Sequence, residues 1–444
     1  MNITDELVDH LCAMSRYPLP SSSVTQAKKC LLDYIGVTCA GGFFLNKRLA
    51  PFLEACPEGK ASVLGSERTT DAASAALVNA FCAHVLEMDD GHRYGMIHLS
   101  APIISAVLAV SQSVNVPLDR LLKGIVVGYE AAIRLAASIQ PSHKLRGYHT
   151  AGTCGTIGAA AGAAVALDLG PSGFKAAISA AATSASGLLE IQEDGSDLKP
   201  YNVAHAAVSG CYAAMFAGLG FRSPDDILGG SRGFTKVLAD GADGEVLLGQ
   251  RMIPEIEGVY MKPFAACRHA HSAVEAMLKL RDKARLQPSD IQKVIVETYD
   301  LAVRGHDHRT IQGMQSAKLS IPYSVAAAYI TGKCGIGTFF ENYLTNEDVL
   351  ALMNKVYVTE NPDFTRMSPG KRIAEVKLID CNGQIHSERV DYARGDPENP
   401  MSDQEIEAKF LEMMRYAHKE ERAPALIRAV KTMERFDGDF YSLL

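Results

Sequence analysis

Five short segments hold side chains whose types and spacing suit proton transfer beside bound anions. The first is His84-Val-Leu-Glu87-Met-Asp89-Asp90-Gly-His92-Arg93, followed by Ile97-His98-Leu99-Ser100-Ala-Pro102. Acids and histidines crowd one helix end and its loop, and Pro102 suits the first turn of the next helix. An aspartate beside a histidine fixes the imidazole tautomer, and a histidine ahead of a helix N-terminus can meet an anion. The second segment is Arg146-Gly-Tyr148-His149-Thr150, where a histidine opens a run of Gly, Ala and Thr. The third is Glu190-Ile-Gln-Glu193-Asp194-Gly-Ser196-Asp197-Leu-Lys199-Pro200-Tyr201-Asn202. A residue before proline is held extended, which helps to aim Lys199. The fourth, Tyr260-Met-Lys262-Pro-Phe264-Ala-Ala-Cys267-Arg268-His269-Ala-His271, packs cationic and titratable groups at a predicted domain junction. In the fifth, Ala317-Lys318-Leu-Ser320-Ile-Pro322-Tyr323-Ser324, proline starts an apolar helix with Tyr323 in its first turn. Taken singly, each also fits a capping cluster, a solvated loop or a packed helix end.

Several chemistries are disfavoured. Cys267, His269 and His271 invite a zinc reading, but their spacing matches no common zinc motif and no further cysteine lies nearby. No metal and no cofactor is therefore expected. The ten cysteines are scattered singly, without CxxC spacing, and read as reduced residues of a cytoplasmic protein. No GxGxxG, Walker loop or HExxH occurs. The net charge of -7 gives no overall pull toward nucleic acid or an anionic membrane. The longest apolar run, Ala151 to Leu167, is built of weakly hydrophobic small residues, so no transmembrane segment is expected.

The elements that must position these segments are mostly helical. Apolar positions recur near the 3.6-residue period over Val24–Cys39, Ala73–Leu86, Ile103–Val114, Leu121–Ala137, Gly152–Leu167, Gly173–Ser184 and Val203–Ala217. After Gly258 the texture changes. Ser272–Leu286 reads as a helix, and Val294, Val296 and Thr298 alternate as in a strand. Lys355–Thr359 reads the same way, and Asn382-Gly383 between two alternating runs predicts a hairpin. Ser402 and Glu405 have capping-box spacing before a last helical stretch. The expected fold is mainly α. Residues 1–258 and 396–444 would form a large helical domain, and 259–395 a smaller α+β lid domain.

Taken in order and with these gaps, the five segments resemble the MmgE/PrpD family over essentially the whole chain, starting at Asp33-Tyr34-Ile35-Gly36. That family includes 2-methylcitrate dehydratases, cis-aconitate decarboxylases and iminodisuccinate epimerases. The resemblance implies a helical domain made from both termini, a homodimer and a small polycarboxylate substrate. It also implies a catalytic set of Asp89, His98, His149, Lys199, Lys262 and Tyr323. Glu87, Asp90, Cys267, Arg268 and His271 are expected to bind substrate. The chain departs from the family pattern at Glu87, where Asp is usual, at Leu99, where Pro is usual, and at Pro200-Tyr201-Asn202. One extra residue also lies between Asp90 and His98.

Removing a proton beside a carboxylate creates an enolate-like intermediate, which needs fixed positive charge and a base within reach. Lys199, Lys262 and Arg268 would supply the charge, and His98 and His149 the proton transfer. The expected activity is that of a cofactor-free lyase, with 2-methylcitrate-type dehydration ranked first on Cys267 and the Glu-Asp-Gly-Ser segment. Decarboxylation or epimerisation follows, and a non-catalytic binding protein comes last.

Overall fold

The computed structural model describes residues 2–444, with the side chain of Asp194, in the third segment, outside that description. In chain order the longer helices are α1 (Ile3–Arg16), α2 (Ser21–Ala55), α3 (Ala72–Val85), α4 (Ser100–Val114), α5 (Leu118–Ser138), α6 (Thr150–Ala166), α7 (Pro171–Ser184) and α8 (Lys199–Ala217). They continue with α9 (His271–Ala284), α10 (Ile321–Thr331), α11 (Asp403–Tyr416) and α12 (Ala423–Lys431). Strands β1 (Ile291–Thr298), β2 (Val356–Glu360), β3 (Ala374–Asp380) and β4 (Ile385–Val390) form the larger sheet. The protein is thus mainly α. No helix among the described residues is long and apolar enough to cross a membrane.

The chain divides into two compact units. One comprises Met1–Ile191, Leu198–Val259 and Ser402–Leu444; the other comprises Gln192–Asp197 and Tyr260–Met401. Among the described residues, the regular elements of the first unit are helices apart from a two-residue ladder pairing Ala61–Ser62 with Thr69–Thr70 and isolated bridges at His92–Ile97 and Tyr148–Leu188. Its α11 starts on the capping box read from the sequence: Ser402 Oγ accepts from Glu405 N, and Glu405 Oε2 accepts from Ser402 N. Helix α1 has no counterpart in the sequence reading. Asn2 accepts from Thr4 N and Asp5 N, and Asp5 and Glu6 sit at the positive end of the helix dipole.

Helix α2 runs sixteen residues past the predicted end at Cys39. Gly41 and Gly42 look like a stop signal, but the structure gives them a packing role. A Cβ on Gly41 would lie 2.0 Å from Cys82 O, so only glycine lets α2 meet α3 there.

The same device builds the core around α6. A Cβ on Gly158 would lie 2.6 Å from Gly128 O in α5, and one on Gly162 would lie 2.6 Å from Gly124 O. The reciprocal contacts, from Gly128 and Gly124, are 2.8 and 2.9 Å. Two glycine pairs four residues apart therefore bring the α5 and α6 backbones into contact. The expected result of Gly158→Val is a loss of about 1–3 kcal/mol or more, because the branched side chain must push backbone apart. Urea unfolding of the purified variant checks this; an unchanged midpoint would mean the helices are free to separate.

In the second unit the sheet order is β2-β1-β3-β4, with β1 parallel to β2 and antiparallel to β3, and β3 antiparallel to β4. Val294, Val296 and Thr298 are buried along β1, as the alternation predicts. The Asn382-Gly383 hairpin is present, with Gly383 at φ 79°, a conformation that favours glycine. Helix α9 lies on β3 and β4.

Candidate active site

The acid–histidine loop is held by hydrogen bonds to residues of the first unit. Helix α3 ends at Val85, and Glu87 turns the chain at φ 55°. A non-glycine residue in that region carries strain of about 1–3 kcal/mol and is kept where surrounding structure enforces it. After Asp89 and Asp90, His92 and Ile97 pair across a tight turn, with His92 N donating to Ile97 O at 2.9 Å. The returning chain enters α4 just after His98.

Asp90 Oδ1 accepts from Ser100 N at 2.8 Å, capping α4 from a distance, and its Oδ2 accepts from Tyr129 OH at 2.7 Å. Burial pushes this carboxyl above its ordinary range, against the lowering effect of those bonds. The sequence reading assigns Asp90 to substrate; the geometry engages both its oxygens in holding the loop. From below, Lys409 of α11 donates to Met88 O at 2.8 Å and pairs with Asp33 of α2 at 2.6 Å. Sequence reasoning missed Lys409, which has no local signal because its partners lie more than three hundred residues away.

Three histidines of this unit, His84, His98 and His149, are oriented by neighbouring polar groups. His84 Nδ1 lies 2.7 Å from Asp89 Oδ2. His98 Nδ1 lies 2.9 Å from Asp90 O and 3.3 Å from Asp89 Oδ2. A carbonyl oxygen only accepts, so His98 carries its proton on Nδ1 and, when neutral, a lone pair on Nε2. His149 has the other tautomer. Its Nδ1 accepts from Asn202 Nδ2 at 3.1 Å, and the same amide group donates to Leu188 O at 3.1 Å, which fixes the amide orientation. Neutral His149 therefore carries its proton on Nε2. Burial first, then the charge of Lys199, then His84 and His98, hold its pKa well below the usual 6.5, so it is neutral at pH 7. The ring centroids of His84 lie 4.8 Å from His98 and 6.1 Å from His149. Asn202 was present in the third segment without a role; its function is legible only once its two acceptors are in place.

Lys199 is the first residue of α8, where the helix dipole disfavours a cation. Its ammonium forms an ion pair with Glu87 Oε1, and both side chains are largely buried. The departure from the family pattern at Glu87 thus has a direct structural correlate.

In the second unit, Lys262 is fully buried. Arg268 is clamped internally: Nη2 meets Asp396 at 2.7 Å, Nη1 donates to His271 Nδ1 at 2.9 Å, and the guanidinium stacks on Tyr260 at 4.6 Å. His271 also donates from Nε2 to Ala266 O at 3.1 Å, so both its ring nitrogens are engaged. Tyr323 is buried and donates to Thr338 O at 2.9 Å; burial raises its phenol pKa. These three were read from the sequence as substrate or catalytic contacts, and the geometry gives each a partner inside the protein. Asp396 was missed altogether.

Two groups among the described residues have ligand atoms within 4.8 Å of one another: His84 with Asp89 and His98, and Cys267 with His269 and His306. The second corrects the trio considered from the sequence, replacing His271 with a residue distant in the chain. The run Gly229-Gly-Ser231-Arg-Gly233 fits Gly-x-Ser-x-Gly spacing, but it lies in turns with no preceding strand, and Ser231 is exposed. It lacks the strand–turn–helix setting of a hydrolase nucleophile.

The MmgE/PrpD N-terminal domain profile matches residues 5–246, and the MmgE/PrpD C-terminal domain profile matches residues 264–435. The chain is 25% identical over 464 residues to the cis-aconitate decarboxylase-like protein oryM of Aspergillus oryzae, covering 98% of this chain and 95% of that protein. It is 25% identical over 466 residues to a cis-aconitate decarboxylase of Aspergillus terreus, covering 98% and 93%. The cis-aconitate decarboxylase of Homo sapiens is 24% identical over 381 residues, covering 81% and 76%.

Proposed function

This chain belongs to the MmgE/PrpD family, and we propose that it is a lyase that makes and quenches a carbanion beside a carboxylate of a small polycarboxylate acid, with decarboxylation as its reaction. The observation that carries the reading is the pair of opposite tautomers. His98 offers a lone pair on Nε2, while His149 offers an N–H.

In decarboxylation, the C–C bond to one carboxylate breaks and CO2 leaves with that carbon. The electron pair passes into the neighbouring unsaturated carboxylate as an enolate. His149 donates a hydrogen bond from Nε2 to the enolate oxygen without losing its proton, as a neutral imidazole can. Lys199 adds positive charge. His98, as imidazolium, delivers the proton that replaces CO2 and is then reprotonated from solvent. Asp89, against its Nδ1, holds the ring and stabilises the imidazolium. Lys262 is proposed as a further carboxylate ligand on the strength of its Lys-Pro-Phe segment.

The sequence alone ranks dehydration first. The names of the relatives support the alternative, decarboxylation, and so does the Lys199-Pro200-Tyr201 segment, which is similar to that of decarboxylase-like members. Dehydration stays as the second reading because Cys267 stands where dehydratase-like members have cysteine. There His98 would take the proton from carbon, the electron pair would form the new C=C bond, and the imidazolium so formed would pass that proton to the hydroxyl, which leaves as water.

Incubating purified enzyme in D2O with a panel of unsaturated and hydroxylated di- and tricarboxylates separates these outcomes. The expected result is CO2 release with one deuterium on the product carbon. Water loss without CO2 would select the dehydratase reading. Neither product nor exchange with any acid, at high enzyme concentration, would overturn the lyase reading.

A further inference from the structure

We propose that the outward face of α8 is the interface through which two copies of this chain associate. The helix is built inside out. Its inner face, packed on α3, α4, α6 and α7, consists mostly of small residues, and a Cβ on Gly210 there would lie 2.4 Å from the Ala159 side chain. Its large apolar side chains point the other way. Tyr201, Tyr212, Met215 and Phe216 on the helix, and Leu219 and Phe221 just beyond it, are between 46% and 68% exposed. A helix that faces water on one side normally turns its charged residues outward and its large apolar ones inward. Here no Asp, Glu, Lys or Arg occurs between Lys199 and Arg222.

The charge-free zone extends to both sides of α8. Helix α3 has no charged residue from Ala72 to Ala83, and its Leu77 and Phe81 are partly buried at the edge of the cluster that holds Ala204, Ala207 and Ala214. Helix α7 has none from Ala176 to Ser184.

The area suits a stable dimer. A large apolar side chain offers about 200 Å², so the six, about half exposed, present roughly 600 Å². That is the upper end of the largest apolar patch on an ordinary monomer, about 300–600 Å². With the adjoining α3 and α7 surface it approaches the roughly 800 Å² that each partner buries in a stable complex.

The composition points to a second copy as the occupant. In a two-fold dimer each patch meets its own image, so a charge near the axis would face a like charge. A patch without charges escapes that repulsion, and it offers nothing for a partner recognised by charge complementarity. Tyr, Phe and Met with charge depleted is also the make-up of interface cores. The helix so covered is the one that bears Lys199 and Asn202.

The test reads mass and solvent access rather than turnover, so its outcome is independent of the lyase reading. Sedimentation of the full chain at micromolar concentration should give a particle of twice the chain mass. Tyr212→Arg with Phe216→Arg sets like charges against each other across the axis. Both side chains are exposed in the single chain, so the fold should hold, with the urea midpoint as control. Loss of one central anchor weakens association by roughly 30-fold and symmetry counts it twice, so the double variant should associate about a thousandfold more weakly. Hydroxyl-radical footprinting of the wild-type chain needs no variant to fold. On a free face, Met215 would oxidise at about half the rate of Met252, in proportion to exposures of 46% and 96%. In the dimer it should be almost unreactive. A monomeric wild type would leave the face to another partner and overturn the proposal. So would an unprotected Met215, or a double variant that associates as tightly as wild type.

Discussion

His98→Gln lowers kcat/KM by about 100- to 10,000-fold, the range that a positioned acid–base group supplies. The size follows from what glutamine keeps and loses. Its amide can still donate toward Asp90 O and Asp89, so the loop should stay folded. What disappears is the ring nitrogen that takes up and delivers a proton. His149→Gln makes the informative contrast. A glutamine there can still present an N–H, the only service the neutral imidazole is proposed to give, so its loss should be distinctly smaller. The measurement is kcat/KM for both variants on the acid identified in the D2O panel, with unfolding midpoints as control. Equal losses would sink the division of roles. The pH dependence should separate them too. The pKa of His149 lies well below 6.5, so wild-type activity should not follow its protonation between pH 6 and 7.

Glu87→Gln is expected to cost about 3–5 kcal/mol of stability, because it leaves the Lys199 ammonium buried without its carboxylate. Lys199 also sits at the first residue of α8, where the helix dipole opposes a cation and adds to that cost. The double variant Glu87→Gln with Lys199→Met should recover a large part of the loss, since it removes the orphaned charge. Urea unfolding of the two singles and the double closes a cycle. A single Glu87→Gln within 1 kcal/mol of wild type would mean that water reaches Lys199 freely.

Much of the site was legible as residue types. The crowding of His84, Glu87, Asp89, Asp90 and His98 in one short stretch, the histidine opening a Gly/Ala helix, and the lysine before a proline are local patterns. Their chemistry follows from composition and spacing alone. The helices were legible for the same reason: apolar residues repeat at the helical period, and Ser402 with Glu405 reads as a cap. The extent of α2 was not, because Gly41 breaks a helix in isolation and joins two helices when Cys82 O lies against it.

The mainly helical fold and the short segments that carry titratable groups can be read along the chain, since both rest on patterns within a few turns. Packing supplied the partner that each group meets. Asp90 became a helix cap, Arg268 and His271 a closed clamp with Asp396, and Tyr323 a donor to Thr338. It also gave Lys199 its partner in Glu87, and Asn202 and Asp90 O fixed opposite tautomers on His149 and His98. A hydrogen bond is decided over about 3 Å, and groups that close in space are brought there by packing rather than by their separation along the chain.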